Sequence, residues 1–333
     1  MAIRVGVNGY GVIGKRVADA VKLQTDMELV GVCDLADDWR IDVARAQGVQ
    51  VYSPSGDGGD GSAGSLEDMA RAADLVVDCT PKGIAAKNTA LYRALAKKFI
   101  VQGGEKHELT GHSFVADTSY ASALDRASTR VVSCNTTSIV RVFGALRRAG
   151  LLRRARGTLL RRALDPWESH LGGIINTLVP EAHIPSHQGP DARTVDPELD
   201  LVTMAVKVPE TLGHMHFWSV DLNGAPTREQ VREVLLASPR IVSVREGDGL
   251  GAINVVKERM LDIGRPRGDL YEVAILEETL TVENGELFCA YMVDNQAIVI
   301  PETIDAIRAL TGSQRDALAS MAETNRTLAI AAT

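Results

Sequence analysis

Short apolar runs alternate with amphipathic segments along the first third of the chain. The runs IRVGVNG, MELVGVCD, DLVVDCTP, FIVQGG and RVVSCNT are rich in β-branched residues, and the segments between them have the apolar spacing of helices. Continuous apolar strands separated by helices are typical of a parallel sheet with helices on both faces. The pattern predicts an α/β fold that begins with a Rossmann-type, doubly wound parallel sheet.

The pattern changes after Cys134. The stretches RGTLLRRALD, LVTMAVKVP, GHMHFWSVDL and LFCAYMVDN are strand-like, and TREQVREVLLAS is one clear helix among them. Because strands outnumber helices here, we predict an α+β domain with a mostly antiparallel sheet and helices on one face. The helical C-terminal segment is expected to pack back on the first domain. The predicted domains are residues 1–133 together with 301–333, and residues 134–300.

The composition argues against several classes of protein. The 333 residues carry a formal net charge of −7, which disfavours wholesale nucleic-acid binding. No apolar run approaches the roughly 20 residues that span a bilayer, and the chain begins with a strand rather than a signal peptide. The four cysteines form no C-x-x-C pair and no Cys/His cluster, so neither a disulfide framework nor a metal site is indicated. We expect a cytoplasmic protein with reduced thiols.

A glycine motif follows the first predicted strand. Gly9, Gly11 and Gly14 have the spacing G-x-G-x-x-G, with a strand before them and a helix after them. The first glycine permits a tight turn, the second lets the backbone approach a pyrophosphate, and the third lets the helix pack on the strand. Asp34 ends the second strand about 20 residues further on, where a carboxylate accepts hydrogen bonds from an adenosine ribose. The first domain is therefore predicted to bind a dinucleotide.

Cys134 has polar neighbours that a structural cysteine does not need. In the stretch RVVSCNTTSIVRV it follows a strand, opens a predicted helix and is surrounded by hydroxyl and amide groups. Strand ends in such sheets face the ligand crevice, and a helix N-terminus stabilises a thiolate. The hydroxyls of Thr136 and Thr137 can donate to an anion at this place. We predict that Cys134 is a nucleophile, whereas the other three cysteines fill cores.

A catalytic thiol usually needs a base, and histidine is the candidate here. The chain has seven histidines. His214 and His216 lie on one face of a predicted strand because side chains alternate with period two. His187 lies in a predicted loop. Spacing alone does not identify the base among them.

Eight stretches carry a resemblance to a known family. They are NGYGVIGKRVADAV, VQGGEKHELTGHSFVA, VVSCNTTSIVRV, LLRRALDP, IPSHQGPD, VPETLGHMHFWSV, SPRIVSVREGDGL and VIPETIDAIRAL. Together they resemble the archaeal-type (class II) glyceraldehyde-3-phosphate dehydrogenases, in that family's order and over nearly the whole chain. The resemblance implies a dinucleotide-binding domain, a catalytic domain and a homotetramer. It implies a reversible, phosphorylating oxidation of D-glyceraldehyde 3-phosphate to 1,3-bisphosphoglycerate, with a nicotinamide cofactor and inorganic phosphate.

The resemblance also assigns roles to residues. It implies that Cys134 is the nucleophile, forming a hemithioacetal and then a thioester, and that His214 is the base, with His216 second. The expected cofactor-binding residues, including those of the glycine motif, are Gly9, Gly11, Val12, Ile13, Gly14, Asp34, Thr80, Gly104, Arg162 and Asn295. The expected substrate- and phosphate-binding residues are Ser133, Asn135, Thr136, Thr137, Arg161, His187 and Gln188.

Three positions depart from the family's pattern. Gln188 stands where members often have a second histidine, which alters one phosphate contact. The stretch 294–296 reads Asp-Asn-Gln where members often have His-Gln-Glu, so the contact to the nicotinamide amide falls on Asn295. Asp34 replaces the small or basic residue of members that use NADP. A carboxylate there repels a 2′-phosphate, so we predict NAD over NADP.

Three other functions remain open at this stage. A semialdehyde dehydrogenase has the same cysteine and histidine chemistry on a similar fold. A non-phosphorylating oxidation to 3-phosphoglycerate uses water in place of phosphate. An RNA-binding role is a more remote alternative, through the arginine-rich span at 147–162.

Overall fold

The chain forms two compact units in a computed structural model that describes residues 2–56, 61–102 and 104–330. The first unit contains the chain up to Ser133 together with Ile300–Leu328, and the second contains Cys134–Val299. Ala329 and Ile330 also belong to the second unit, although the sequence assigned them to the first. The cause is local, because the Arg265 guanidinium donates to the Ala329 carbonyl at 2.9 Å.

Up to Ser133, the described residues of the first unit form a seven-stranded sheet and five α-helices. The strands are β1 (Ile3–Asn8), β2 (Met27–Cys33), β3 (Val51–Tyr52), β4 (Leu75–Asp78), β5 (Lys98–Val101), β6 (Ser113–Phe114) and β7 (Ser128–Val131). The helices are α1 (Val12–Lys22), α2 (Trp39–Ala46), α3 (Leu66–Ala72), α4 (Ala85–Ala94) and α5 (Ala116–Ala123). The strand order is β3-β2-β1-β4-β5-β7-β6, and every pair is parallel. The predicted Rossmann-type sheet is confirmed.

Local sequence explains where these elements begin. Ser65 accepts a hydrogen bond from the Asp68 backbone N–H, and the Asp68 carboxylate accepts one from the Ser65 backbone N–H, so α3 starts with a capping box. The central strands carry apolar residues on both faces, as a sheet covered by helices requires. Val76 and Val77 of β4 face opposite sides of the sheet, and both are completely buried.

In the described part of the second unit there are an eight-stranded sheet and four α-helices. The strands are β8 (Leu152–Arg161), β9 (Val179–Pro180), β10 (Leu201–Lys207), β11 (His214–Leu222), β12 (Ile241–Val244), β13 (Val273–Leu276), β14 (Thr281–Glu283) and β15 (Glu286–Val293). The helices are α6 (Cys134–Arg148), α7 (Gln188–Arg193), α8 (Arg228–Leu236) and α9 (Ile253–Asp262). The strand order is β12-β13-β15-β11-β8-β10-β9, with β14 paired to β15. Only β12/β13 and β8/β10 are parallel pairs, so the predicted mostly antiparallel sheet is confirmed.

Two C-terminal helices, α10 (Ile300–Thr311) and α11 (Ala317–Thr327), belong to the first unit. Glu302 accepts a hydrogen bond from the backbone N–H at the start of α5. The buried Arg308 guanidinium donates to both oxygens of Asp26 at 2.8 and 2.9 Å and to Gln24 at 2.8 Å. A buried guanidinium needs such partners, which ties α10 to the end of α1 and the start of β2. None of the helices in the described ranges is long and apolar enough to cross a membrane.

Candidate active site

The glycine turn joins β1 to α1 and leaves room for a ligand. Gly9 has a positive φ of 88°, a conformation that favours glycine. A Cβ built on Gly14 would lie 1.8 Å from the Gly9 carbonyl oxygen, so only glycine lets α1 pack this closely. A Cβ on Gly11 would meet no described atom within 4 Å, and no described side chain caps α1. This open space at the start of α1, beside Val12 and Ile13, fits the pyrophosphate of a dinucleotide.

Asp34 directly follows β2 and is held beside the glycine turn. Its Oδ2 accepts from the Tyr10 backbone N–H at 2.6 Å, and its Oδ1 accepts from the Ala36 backbone N–H at 2.8 Å. The nearby Arg40 guanidinium forms an ion pair with Asp38, with Nη2 2.7 Å and Nε 2.9 Å from its carboxylate. A carboxylate that accepts two backbone N–H groups still has lone pairs for ribose hydroxyls.

Thr80 and Gly104 lie on the loops that follow β4 and β5. The Thr80 hydroxyl donates to Asp78 Oδ1 at 2.5 Å, and the Asp78 carboxylate is buried. Gly104 lies beside Lys82, whose Cβ is 3.4 Å from a Cβ built on the glycine. Both residues therefore follow a carboxyl end of the parallel sheet, where ligands of such folds bind.

Cys134 is the first residue of α6, and its thiol faces His214. The distance from Cys134 Sγ to His214 Nε2 is 3.3 Å, and Cys134 is half-buried. Burial raises the pKa of the Cys134 thiol, while the positive charges of Arg162 and Arg161 and the Asn135 backbone N–H act in the opposite direction. The thiolate therefore depends on these nearby cationic and N–H groups for its stabilisation.

The second ring nitrogen of His214 also has a partner. The Arg162 backbone N–H donates to His214 Nδ1 at 3.0 Å. Burial, followed by the charges of His216, Arg162 and Arg161, holds the pKa of His214 well below its usual range. A neutral ring whose Nδ1 accepts must carry its proton on Nε2, the nitrogen that faces Sγ. The structure thus presents His214 to Cys134 as a hydrogen-bond donor.

His216 lies on the same face of β11 but has different surroundings. Its Nε2 is 2.8 Å from Asn135 Oδ1, and its Nδ1 is 2.9 Å from the Tyr291 hydroxyl. The residue is fully buried, and burial, with the charge of Arg161, lowers its pKa to about 3. This hydrogen-bonded chain occupies both ring nitrogens and one side-chain atom of Asn135. These hydrogen-bond partners distinguish His216 from His214, which faces Cys134, whereas the alternation of side chains along β11 did not distinguish them.

The predicted anion ligands at the start of α6 are largely covered. Thr136 and Thr137 are completely buried in the first turn. The Thr136 hydroxyl donates to Asp191 Oδ2 at 2.7 Å, on α7. Ser133 directly precedes Cys134 and is partly exposed. Their roles as substrate contacts stay predictions.

Arg161, His187 and Gln188 converge on one carboxylate that the sequence did not single out. Glu181 contacts Arg161 Nη1, His187 Nδ1 at 3.1 Å and Gln188 Nε2 at 3.4 Å. Burial opposes ionisation of Glu181, but the charges of His187 and Arg161 and these hydrogen bonds bring its pKa below the usual value. Arg161 Nε is buried and has no hydrogen-bond partner within the described ranges. The predicted phosphate ligands are therefore assembled around Glu181.

A second carboxylate, that of Asp165, binds Asn295, the residue predicted to contact the nicotinamide. Asp165 Oδ1 accepts from Asn295 Nδ2 and from Gln296 Nε2, each at 2.9 Å, and lies 3.3 Å from Arg162 Nη2. Asn295 is 6% exposed, and its Oδ1 has no partner among the residues that the structure describes. Asp165 lies in the stretch LLRRALDP. Nothing in the sequence indicates its contacts with Asn295 and Gln296, because they are 130 and 131 positions further along the chain.

The arginine-rich span is matched by carboxylates. Its ion pairs are Arg147 with Asp196 and Glu198, Arg153 and Arg156 with Asp221, and Arg154 with Asp200. This pairing removes most of the excess positive charge that nucleic-acid binding would use. In the part of the chain that the structure describes, no group of three His, Cys, Asp or Glu side chains is placed to hold a metal ion.

A dinucleotide fold and a thiol facing a histidine are typical of dehydrogenases that act on aldehydes. The family model described as "Glyceraldehyde 3-phosphate dehydrogenase, C-terminal domain" matches residues 133–259. Similar proteins named glyceraldehyde-3-phosphate dehydrogenase come from Methanococcoides burtonii, 43% identical over 98% of this chain and 99% of the relative, and Pyrobaculum calidifontis, 44% identical over 93% and 92%. A relative from Methanosarcina barkeri is 40% identical over 98% of both chains.

The chain belongs to the archaeal-type glyceraldehyde-3-phosphate dehydrogenase family, so the resemblance noted in the sequence is confirmed. It is accordingly an oxidoreductase with a nicotinamide cofactor.

Proposed function

We propose that the chain catalyses the reversible, phosphorylating oxidation of D-glyceraldehyde 3-phosphate to 1,3-bisphosphoglycerate. The observation that carries the proposal is the 3.3 Å contact between Cys134 Sγ and His214 Nε2 at the start of α6. Membership of the family supports glyceraldehyde 3-phosphate as the substrate. The relatives that match nearly the whole chain are named glyceraldehyde-3-phosphate dehydrogenase. The sheet of the first unit serves the dinucleotide, and the second unit carries the chemistry.

The Cys134 thiolate attacks the aldehyde carbon and forms a C–S bond, which leaves an oxyanion on the hemithioacetal. A bound nicotinamide would supply the hydride acceptor for this carbon. Loss of the hydride converts the hemithioacetal to a thioester. An oxygen of inorganic phosphate then attacks the thioester carbonyl, the C–S bond breaks, and the acyl phosphate leaves with the thiolate restored.

His214 serves the substrate oxygen through Nε2. With the Arg162 N–H on Nδ1, this nitrogen carries the proton, so the ring donates a hydrogen bond to the thiolate and then to the hemithioacetal oxyanion. The sequence suggested instead that His214 removes the hydroxyl proton. That role requires the other tautomer, whose Nδ1 proton would face the Arg162 N–H. The hydrogen-bond pattern favours the donor role.

Arg161, His187 and Gln188 bind phosphate groups in this proposal, together with Ser133, Asn135, Thr136 and Thr137. Arg161 Nε is buried and has no partner among the described residues, which supports a donor role, since guanidinium binds phosphate through several N–H groups. Glu181 orients these ligands while it is ionised. Arg162 contributes positive charge beside Cys134.

NAD is the preferred dinucleotide in this proposal. Asp34 is fixed by two backbone N–H groups next to the glycine turn, and Arg40 is engaged by Asp38. A 2′-phosphate would therefore meet a carboxylate before it met an arginine. Asn295 contacts the nicotinamide carboxamide in this proposal, because its buried Oδ1 is an acceptor without a partner in the described ranges.

The enzyme is a cytoplasmic homo-oligomer, proposed as a tetramer. Met204 of β10, Phe217 of β11 and Phe288 of β15 are each 40–45% exposed on the second sheet. Cross-strand pairing places Met204 and Phe217 opposite Thr158, and Phe288 opposite Ser219, on the face that α6 does not cover. A second copy of the chain is the occupant that the proposal assigns to this apolar row. Light scattering of the purified protein tests it, and a monomer at working concentration would refute it.

The decisive experiment measures reduced cofactor formed from glyceraldehyde 3-phosphate, with and without phosphate. The expected result is steady turnover with phosphate and a single turnover per Cys134 without it, because the thioester then persists. Repeated turnover without phosphate would establish the non-phosphorylating reaction. Faster oxidation of aspartate semialdehyde than of the triose phosphate would establish the alternative substrate.

A further inference from the structure

We infer that Asp165 is a positioning residue that fixes the amide of Asn295 for recognition of the nicotinamide carboxamide. The inference rests on the proposed contact between Asn295 and the cofactor. It concerns which end of the Asn295 amide faces the ligand, and which residue decides that.

The side-chain amide of Asn295 has two chemically different ends. Its nitrogen donates two hydrogen bonds and its oxygen accepts them, and rotation by half a turn exchanges the two. Asp165 Oδ1 lies 2.9 Å from Asn295 Nδ2, and a carboxylate accepts but does not donate. Asp165 therefore selects the orientation in which the Asn295 oxygen points away from it.

Two further contacts fix the orientation of the Asp165 carboxylate. Gln296 Nε2 donates to the same oxygen at 2.9 Å, and Arg162 Nη2 lies 3.3 Å from it. The Arg162 guanidinium forms an ion pair with the carboxylate. Two amide donors and this guanidinium converge on a single oxygen, so the carboxylate has little freedom to turn.

The consequence is a buried acceptor that lacks a donor. Asn295 is 6% exposed, and its Oδ1 has no partner within the described part of the chain. A buried polar atom left unpaired is unfavourable, and a ligand N–H relieves this on binding. The NH2 group of a carboxamide is such a donor, whereas a ketone at the same place is not.

Cofactor analogues separate this role from a merely structural one. In 3-acetylpyridine adenine dinucleotide a methyl group replaces the carboxamide NH2, so the analogue offers no donor to Asn295. Dissociation constants for NAD and for the analogue are measured by calorimetry on the wild-type protein, Asp165→Asn and Asp165→Ala. We expect Asp165→Ala to raise the dissociation constant of NAD about tenfold, the factor equivalent to about 1.4 kcal/mol. The dissociation constant of the analogue should change by no more than about twofold.

Asp165→Asn is the conservative variant and retains an accepting oxygen of the same size. It should weaken the binding of NAD less than Asp165→Ala does and leave the binding of the analogue unchanged. Equal weakening of both dinucleotides, or of neither, would overturn the inference. Thermal unfolding of each variant reports whether the fold is intact, and Asp165→Asn keeps the test open if Asp165→Ala does not fold.

Asn295→Ala separates this inference from the proposal beneath it. If Asn295→Ala leaves the preference for NAD over the analogue unchanged, Asn295 does not contact the carboxamide, and both ideas fail. If Asn295→Ala removes the preference while Asp165→Ala retains it, the contact stands and only the role of Asp165 is refuted.

Discussion

The two units present their predicted site residues in different ways. In the first unit the glycine turn between β1 and α1 offers backbone N–H groups and empty space, as Gly11 shows. In the second unit, side chains from distant segments fix one another, as in the contacts of His214 with Cys134 and of Asp165 with Asn295. A change in the first unit should therefore alter cofactor binding by volume or charge, and a change in the second should act by removing an orienting partner, either of the thiol or of the residue proposed to contact the cofactor.

The largest expected effect lies in the second unit. Cys134→Ser should abolish oxidation of the aldehyde while NAD still binds, since the glycine turn is untouched. Steady-state rates and calorimetry measure the two properties. Loss of NAD binding in this variant would break the proposed separation of the two regions.

Alkylation of the wild-type protein gives the same residue a second test. Only the thiolate reacts with iodoacetamide, and burial raises the pKa of Cys134, so the rate of modification should rise with pH through the alkaline range. Cys33 and Cys289 are internal controls, because burial raises the pKa of each thiol to about 12. Mass spectrometry that finds another cysteine modified at the loss of activity, with Cys134 intact, would refute its role.

The next largest effect concerns the two histidines of β11. His214→Asn should slow formation of the thioester roughly 10²–10⁴-fold, the scale of a lost acid–base or oxyanion group. His216→Asn, the matched control on the same strand face, should slow it less, because His216 contacts Asn135 and Tyr291 instead of Cys134. Single-turnover kinetics without phosphate isolate this step.

His214→Gln sharpens the comparison further. A glutamine can donate from its side-chain nitrogen but cannot take up a proton at neutral pH. If His214 acts as a donor, His214→Gln should retain more of the single-turnover rate than His214→Ala. Equal rates for these two variants would restore the role of proton acceptor, and a larger loss in His216→Asn would move the role to that residue.

The ease of prediction differed between the two regions for a physical reason. The glycine turn and its helix are continuous in sequence. Gly9 and Gly14 each meet a local backbone requirement, so the spacing of the glycines was enough to predict the turn between β1 and α1. The capping box of α3 is equally local, since Ser65 and Asp68 are only three residues apart. Continuous apolar runs separated by helices predicted the first sheet, and the excess of strand-like runs over helices predicted the second.

The second region needed tertiary contacts. Alternation placed His214 and His216 on one face, but only the positions of Asn135 and Tyr291 distinguish their surroundings. Glu181 had no pattern to mark it, because its importance comes from Arg161, His187 and Gln188 meeting at one carboxylate. Side chains that acquire a role through partners far along the chain leave no periodic signal.

A pair of alanine substitutions tests the first unit. Gly11→Ala should leave the melting temperature unchanged, since its Cβ meets no described atom within 4 Å, but weaken NAD by about tenfold or more because the methyl group occupies the pyrophosphate space. Gly14→Ala is the contrasting variant and should destabilise the fold, because its Cβ would lie 1.8 Å from the Gly9 carbonyl oxygen. Calorimetry and thermal unfolding measure the two effects. Unchanged NAD affinity in Gly11→Ala would remove the turn from the cofactor site.

The smallest effect concerns the choice of dinucleotide. Asp34→Ser should improve kcat/KM with NADP about tenfold, the factor for about 1.4 kcal/mol of charge repulsion, with little loss for NAD. Adding Asp38→Asn should raise kcat/KM with NADP further. Arg40 Nη2 then loses its ion-pair partner, which lies 2.7 Å away in the wild type, and the guanidinium can turn to a 2′-phosphate. Asp38→Asn alone is the control, and it should help NADP less than the double variant does, since Asp34 still repels the phosphate. Wild-type efficiency with NADP equal to that with NAD would mean that Asp34 does not face the ribose, and the first unit would then select its ligand by shape alone.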